Sequence, residues 1–185
     1  SFVYWALLGI VRLGYRARIL PCHRVGKPVI SIGNITLGGV GKTPLVEMLA
    51  RYLKERKSKP VVLIRGYMNN EEQGQDLSSI LSDEANLLDQ SLGDVPVLVG
   101  RDRVRQAEQA LATGDVGVFI LDDGFQHWRL HRDLDIVVID ATNPFGNGRL
   151  LPRGILREPT GSLSRAGMFV LTKTDAARKD IDFLA

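Results

Sequence analysis

The chain has 185 residues, a formal net charge of +3, and 44% hydrophobic and 24% charged side chains. That length gives room for one α/β domain and at most the start of another, and the composition is ordinary for a soluble globular protein. The single cysteine, Cys22, excludes an intramolecular disulfide and a cysteine zinc cluster, which fits a reducing compartment.

The N-terminal part of the chain is apolar and basic. Residues 2–11 form an apolar run that is shorter than the ~20 residues needed to cross a bilayer, and no basic region precedes it as in a signal peptide. Residues 1–46 contain six basic side chains and no acidic one. We therefore predict that residues 1–27 form a basic amphipathic helical segment facing an anionic membrane; the alternative is a core helix with a solvated basic face. Nucleic acid is not expected as a partner, because the basic residues form no recognition motif.

A glycine-rich stretch between a predicted strand and a predicted helix is typical of a phosphate-binding loop. The strand covers residues 29–32, and an apolar stripe with helical spacing covers residues 45–53. Glycines let N–H groups point at phosphate oxygens, Lys42 can reach the β- and γ-phosphates, and the Thr43 hydroxyl can bind Mg²⁺. The standard pattern has glycine where this chain has Thr36, and a turn that only resembles the loop is the alternative. Nucleotide contacts are predicted for Gly38, Gly39, Val40, Gly41, Lys42 and Thr43.

Apolar runs alternate with helical patterns along the rest of the chain. One helix is predicted over residues 104–111, closed by Gly114, and another is predicted to follow Ser82. This alternation indicates a mostly parallel, P-loop NTPase-like sheet with helices on both faces, spanning residues 28–175, with ligand sites at the carboxyl ends of the strands. The predicted strands are residues 29–32, 61–64, 97–99, 118–121, 136–139 and 169–171.

Two aspartates, Asp122 and Asp123, follow the predicted strand at residues 118–121. A phosphate-binding loop requires a carboxylate at the end of a neighbouring strand to hold Mg²⁺ directly or through water, so the pair favours a nucleotide site. Acids after a strand also occur in turns that cap the next element. His127 lies close behind and could orient an aspartate or contact phosphate, although a lone histidine is more often structural.

A second acidic group opens a predicted helix. Ser82 can cap that helix, and acids in a first helical turn favour the helix dipole, so capping is one explanation for Asp83 and Glu84. The other is that one of the two acids points into the cleft as a base or a metal partner.

Two predicted loops add charged residues near the same edge of the sheet. Arg65 precedes a polar stretch at residues 68–79 that is predicted to be a mobile loop. Residues 142–165 are rich in proline and glycine and are predicted to form a long structured loop rather than a helix or strand. In it, Arg157 could contact phosphate and Glu158 could accept a hydroxyl, or both could lie on a solvated loop.

The last predicted strand ends in Thr172-Lys173-Thr174-Asp175. A strand followed by Thr-Lys-x-Asp resembles the guanine-reading motif of small GTPases, in which the aspartate accepts from the guanine ring. The alternative function is therefore a GTP-binding regulatory or maturation factor. The match covers four residues, and a strand end that turns into a linker would look the same.

Taken together, these segments resemble the tetraacyldisaccharide 4′-kinase family of the lipid A pathway in Gram-negative bacteria. DDGFQH and GNGRLLPxGxLREP are long enough that chance agreement of both, in order, is remote. The matching segments are residues 28–44, Arg65-Gly66-Tyr67, Ser82-Asp83-Glu84-Ala85, residues 122–127, residues 135–141 and residues 145–159.

The resemblance implies transfer of the γ-phosphoryl group of ATP to the 4′-hydroxyl of a tetraacylated glucosamine disaccharide 1-phosphate, with Mg²⁺, at the cytoplasmic face of the bacterial inner membrane. The implied catalytic residues are Asp83, as general base, and Asp122, Asp123 and His127. The implied Mg²⁺ ligands are Thr43, Glu84 and Asp122, and the implied substrate contacts are Arg65, Arg101 and Glu158. Such a reaction depends on positioning and charge neutralisation more than on covalent catalysis.

The chain also departs from the family pattern. Met68-Asn69 follow Arg-Gly-Tyr where the family often has Gly-Arg. Family members are much longer, so residues 176–185 are expected to start a linker to a C-terminal lobe that this sequence lacks, and this portion is expected to turn over weakly or not at all. A third possibility is a membrane-surface binding module with a degenerate nucleotide site.

Overall fold

The computed structural model describes residues 2–65 and 88–176. The predicted loop at residues 68–79, the Ser82-capped start of a helix with Asp83 and Glu84, and most of the predicted linker lie outside these residues. The elements are α1 (Phe2–Arg16), β1 (Val29–Gly33), α2 (Lys42–Glu55), β2 (Pro60–Arg65), β3 (Val97–Gly100), α3 (Arg103–Thr113), β4 (Val118–Asp122), β5 (Leu134–Asp140), a 3₁₀ helix (Thr160–Arg165) and β6 (Met168–Thr172).

The six strands form one sheet in the order β3-β2-β4-β1-β5-β6, and every neighbouring pair is parallel. All six predicted strands are present, each one to three residues longer than the apolar run that indicated it. The strand that follows β1 in the chain is β2, but β4 lies between the two in the sheet. The carboxyl ends of β1 and β4 therefore lie side by side at the centre of the sheet. This is where an open parallel sheet binds ligands.

Helices cover both faces of the sheet, as predicted. On one face, Val46 and Ala50 of α2 pack against a cluster that includes Ile32 and Ile120. On the other face, Val104 and Ala107 of α3 belong to a second cluster. A third cluster lies beneath the loops that follow β4 and β5. The four central strands β1, β2, β4 and β5 are mostly buried, which explains their continuous apolar runs, whereas the edge strands β3 and β6 are partly exposed.

Two segments differ from the sequence prediction. The helix predicted within residues 1–27 ends at Arg16, because Arg18 has a positive φ of 58° and the chain then runs to an isolated bridge between His23 and Leu130. The loop predicted over residues 142–165 ends in the short 3₁₀ helix, which follows the extended Pro159. Short 3₁₀ turns are common connectors because their hydrogen-bond geometry does not sustain long runs. Among the described residues, no helix is both long and apolar enough to cross a membrane.

Candidate active site

The glycine-rich loop joins the end of β1 to the first residue of α2. Gly41 has φ 84° and Gly38 has φ 107°, values that favour glycine because a Cβ would be strained there. α2 begins at Lys42, so the positive end of the helix dipole and the N–H groups of its first turn face the loop. The local backbone is therefore suited to hold an anion, as the sequence predicts.

Thr36 occupies the position where the standard phosphate-loop pattern has glycine, and the structure explains why a side chain is accepted. Thr36 forms an antiparallel bridge with Leu156, which keeps its backbone extended. The side-chain amide of Asn34 donates to the Thr36 carbonyl at 2.8 Å and to its hydroxyl at 3.1 Å. An extended backbone suits a β-branched residue, so glycine is not needed at this position.

Lys42, Asp123 and Arg157 form a charged network beside the loop. Arg157 donates to both carboxylate oxygens of Asp123, at 2.8 and 2.9 Å, and the Lys42 ammonium lies 3.5 Å from Oδ1 of the same carboxylate. Lys42 also donates to Oδ1 of the buried Asn34 at 3.1 Å. Burial would raise the pKa of Asp123, but Arg157, Lys42 and Arg103 lower it below its usual value. Asp123 is therefore ionised at neutral pH and holds both cations in place.

Asp122 lies at the end of β4 in a different environment from its neighbour. Burial and the adjacent Asp123 charge raise the pKa of Asp122 to about 6, although Lys42 and Arg103 act in the opposite direction. Within the described part of the chain, its buried Oδ1 has no hydrogen-bond partner. A buried carboxylate oxygen without a donor is costly, and a cation in the cleft would relieve that cost.

His127 lies behind the cleft rather than in it. Its Nδ1 is 3.5 Å from Nη1 of Arg103, and Nη2 of Arg103 donates to the Asp122 carbonyl at 2.9 Å. Because a guanidinium can only donate, Nδ1 is placed as an acceptor. Burial lowers the pKa of His127 to about 4, with Arg103, Arg132 and Arg129 acting in the same direction. The imidazole is thus neutral at pH 7 and supports Arg103.

Glu158 is also buried, at 1% exposure, and both of its carboxylate oxygens accept from Arg165, at 2.9 and 3.1 Å. The Arg165 guanidinium stacks on Phe125 and Trp128, at 4.2 and 4.1 Å from the ring centroids. The pair therefore joins the 3₁₀ helix to the segment that follows Asp123. The predicted substrate contact of Glu158 stays a prediction.

The glycine-rich loop, Asp122, Asp123, Arg103 and Arg157 line a cleft of about 490 Å³, whereas His127 and Glu158 are not among its lining residues. Sequence reasoning identified most of its described lining: the loop from Gly38 to Thr43, Arg65, Asp122 and Asp123. Arg101, a predicted substrate contact, is exposed after β3 and is not among the described lining residues. Arg103, which does line the cleft, was missed. Its signal was its position directly after Asp102, whose side chain caps α3.

The parallel sheet, the loop that leads into α2 and the paired aspartates at the end of β4 define a protein of the P-loop NTPase-like class. Such a site neutralises phosphate charge with lysine, arginine and backbone N–H groups. The conserved use of this layout across many enzymes leaves the particular family open.

Comparisons with known proteins identify the family. A family model described as LpxK, tetraacyldisaccharide-1-P 4′-kinase, matches residues 1–184, and the chain belongs to this family. Proteins named tetraacyldisaccharide 4′-kinase are similar: that of Halothermothrix orenii is 43% identical over 92% of this chain and 47% of the relative. That of Syntrophus aciditrophicus is 46% identical, over 85% of this chain and 44% of the relative. The chain thus spans about half the length of these curated relatives.

A solved structure gives the same result for the fold. The crystal structure of LpxK from Aquifex aeolicus in complex with ATP superposes with a TM-score of 0.80 at 34% identity. The match covers 95% of this chain and 57% of that chain.

Proposed function

We propose that the protein containing this chain is an ATP-dependent kinase that phosphorylates the 4′-hydroxyl of a tetraacylated glucosamine disaccharide 1-phosphate. One observation carries the proposal: in a member of this family, Lys42, the Asp123–Arg157 pair and Asp122 converge on one cleft with the phosphate-binding loop. The relatives' names supply the acceptor and the transferred group.

The cleft residues would act by positioning and charge neutralisation. The loop N–H groups and Lys42 would bind the β- and γ-phosphates of ATP, and Arg157 lies close enough to Lys42 to add a second cation. The Asp123 carboxylate fixes the positions of Lys42 and Arg157, so these cations would need little reorganisation when charge develops on the transferred group.

The residues present also fit Mg²⁺. This ion prefers oxygen ligands and usually combines one or two carboxylates with substrate phosphates and water. Asp122, with its unpartnered Oδ1, and Thr43 would hold it, together with Glu84 as the family resemblance implies. The described residues contain no group of three His, Cys, Asp or Glu side chains able to hold a metal alone. When bound, Mg²⁺ would neutralise phosphate charge.

The outer face of α1 supports a lipid acceptor and contact with an anionic membrane. Leu7, Ile10 and Leu13 are 57%, 68% and 67% exposed, and Arg12 lies among them. An apolar groove of about 390 Å³ runs between α1 and Pro159, two residues from Arg157. Acyl chains in this groove would bring the sugar near the cleft. These features support our proposal that the protein lies peripherally at the cytoplasmic face of the inner membrane, which the family resemblance implies.

The test is a transfer assay with the full-length protein, γ-labelled ATP, Mg²⁺ and the disaccharide 1-phosphate in detergent micelles. We expect label on the 4′-oxygen. The matched control is an acceptor that already carries a 4′-phosphate, which should stay unlabelled. Absence of transfer to the free 4′-hydroxyl would remove the proposal.

Nucleotide choice separates this function from a GTP-binding factor. Asp175 is exposed and lies two positions after Lys173, whose ammonium contacts the phosphate loop. We expect ATP to compete better than GTP and Asp175→Ala to leave that preference unchanged. A preference for GTP that is lost in Asp175→Ala would support the regulatory alternative instead.

A further inference from the structure

We propose that Thr172 and Lys173, at the end of β6, are positioning residues that hold the phosphate-binding loop in its anion-binding conformation. This inference rests on the proposed function, because it concerns how the same loop binds nucleotide phosphate. It gives the Thr-Lys-x-Asp segment a role that does not require guanine.

The end of β6 contacts two consecutive carbonyls of the loop. The Thr172 hydroxyl donates to the Val40 carbonyl at 2.8 Å, and the Lys173 ammonium lies 3.4 Å from the Gly39 carbonyl. Val40 is 4% exposed, so its carbonyl would be costly to leave without a partner. β6 therefore supplies a donor for the buried Val40 carbonyl and a second, exposed one for the neighbouring Gly39 carbonyl.

These two bonds also fix the direction of the loop N–H groups. In a planar trans peptide, the carbonyl and the N–H of the next residue point in opposite directions. With the carbonyls of Gly39 and Val40 drawn toward β6, the N–H groups of Val40 and Gly41 point the other way, toward the cleft that both residues line. A phosphate-binding loop needs this orientation before the anion arrives.

The two β6 residues are themselves held in place. Lys173 Nζ is 2.5 Å from Oδ2 of Asp140, and the other oxygen of Asp140 accepts from the Thr142 N–H at 2.9 Å. The backbone carbonyl of Thr172 accepts from the Ala141 N–H at 3.0 Å.

Packing reinforces the hydrogen bonds. A Cβ at Gly41 would meet the Thr172 methyl at 3.4 Å, so β6 lies directly against the left-handed turn. β6 thus offers the loop a fixed surface that joins it to the end of β5.

The test compares isosteric variants by calorimetric titration of ADP into the full-length protein. Thr172→Val removes the donor and keeps the shape, so we expect about tenfold weaker ADP binding, in line with the loss of one buried hydrogen bond. Thr172→Ser keeps the donor and should bind within about twofold of the parent. Thr113→Val is the matched control, because Thr113 also donates to a backbone carbonyl but lies at an exposed position at the end of α3, outside the cleft lining.

A second variant decides the matter if Thr172→Val does not fold. Lys173 is half exposed, so Lys173→Met should fold and weaken ADP binding about threefold, while Lys59→Met, which removes an exposed ion pair elsewhere, should not. Equal ADP affinity in the parent and in folded Thr172→Val would overturn the inference, as would failure of Thr172→Ser to rescue it. Failure of the proposed function looks different, since the parent itself would then not bind ADP and Lys42→Ala would change nothing.

Discussion

The cleft at the ends of β1 and β4 and the outer face of α1 differ in how their side chains are satisfied. In the cleft, nearly every charge has a partner: Asp123 binds Arg157 and lies near Lys42. On α1, large apolar side chains such as Ile10 and Leu13 face solvent, while Tyr4 and Tyr15 contact the rest of the protein.

This difference separates a preorganised site from an exposed apolar surface. Asp123 fixes the positions of the cleft cations Lys42 and Arg157, so a phosphate can bind there with little rearrangement of these side chains. The α1 face gains free energy only when its apolar area leaves water. The two regions also touch, because the Tyr4 hydroxyl donates to the Arg157 carbonyl at 2.9 Å and Tyr15 stacks on Trp128.

The largest effect is expected from Lys42→Ala, which removes a phosphate-binding charge from the cleft. We expect phosphoryl transfer to fall at least about 10²-fold, because one preorganised charge contributes several kcal/mol to the transition state. Lys54→Ala, which breaks an exposed pair with Asp94, is the matched control and should retain activity. A rate in Lys42→Ala within a few-fold of the parent would mean that the cleft is not the site of transfer.

The α1 face should control membrane binding and leave the cleft intact. The double variant Ile10→Glu and Leu13→Glu should lower partitioning onto anionic vesicles by about tenfold or more, since each apolar side chain contributes ~1.5–3 kcal/mol on burial. Sedimentation with vesicles measures this directly. Met48→Glu, at an exposed position of α2, should bind like the parent. If both variants bind equally well, α1 is not the membrane surface.

Asp122→Asn should make the protein more stable without nucleotide. The pKa of Asp122 is about 6 instead of 3.8, so the folded state binds the proton more tightly, and the free energy of unfolding falls as pH rises from about 4 to about 6. Asparagine does not ionise, so the variant avoids the free-energy cost of a buried, ionised Asp122, which is on the order of 3 kcal/mol above pH 6. Chemical denaturation at pH 7.5 and at pH 4 should show a gain only at the higher pH. Asp123→Asn should instead lower the free energy of unfolding at pH 7.5, because it leaves Arg157 without its carboxylate. If both variants changed the free energy of unfolding in the same direction at pH 7.5, the contrast between Asp122 and Asp123 would be wrong.

The smallest effect concerns His127, whose pKa is about 4. A group with a lowered pKa stays neutral down to that value, so its ring protons should not shift in an NMR titration from pH 8 to pH 5.5. A His127 midpoint near 6.5 would show that the ring is not buried beside Arg103.

Much of the fold was predictable because the buried strands are continuous apolar runs. The phosphate loop and the Asp122-Asp123 pair were also predictable, since each depends on a short local pattern after a strand. The end of α1 at Arg16 was not, because the turn at Arg18 has a conformation that an arginine rarely adopts.

The partners within the site could not be predicted from sequence. Arg157 reaches Asp123 across 34 positions because residues 155–157 pair with the start of the phosphate loop. The burial of Glu158 against Arg165 has the same cause, a long loop whose path is set by tertiary contacts. Arg101 was implied by the family resemblance alone, and a sequence pattern does not show that the Arg103 side chain, at the start of α3, faces the cleft. The roles of Asp83 and Glu84 remain predictions.

The most direct measurement is a crystal structure of the full-length protein with Mg²⁺ and a non-hydrolysable ATP analogue. We expect the β- and γ-phosphates within hydrogen-bond distance of the N–H groups of residues 39–43 and of Lys42, with the metal between Thr43, Asp122 and a phosphate oxygen. Phosphates bound outside this loop, or a metal without Asp122 among its ligands or their bound waters, would contradict the account.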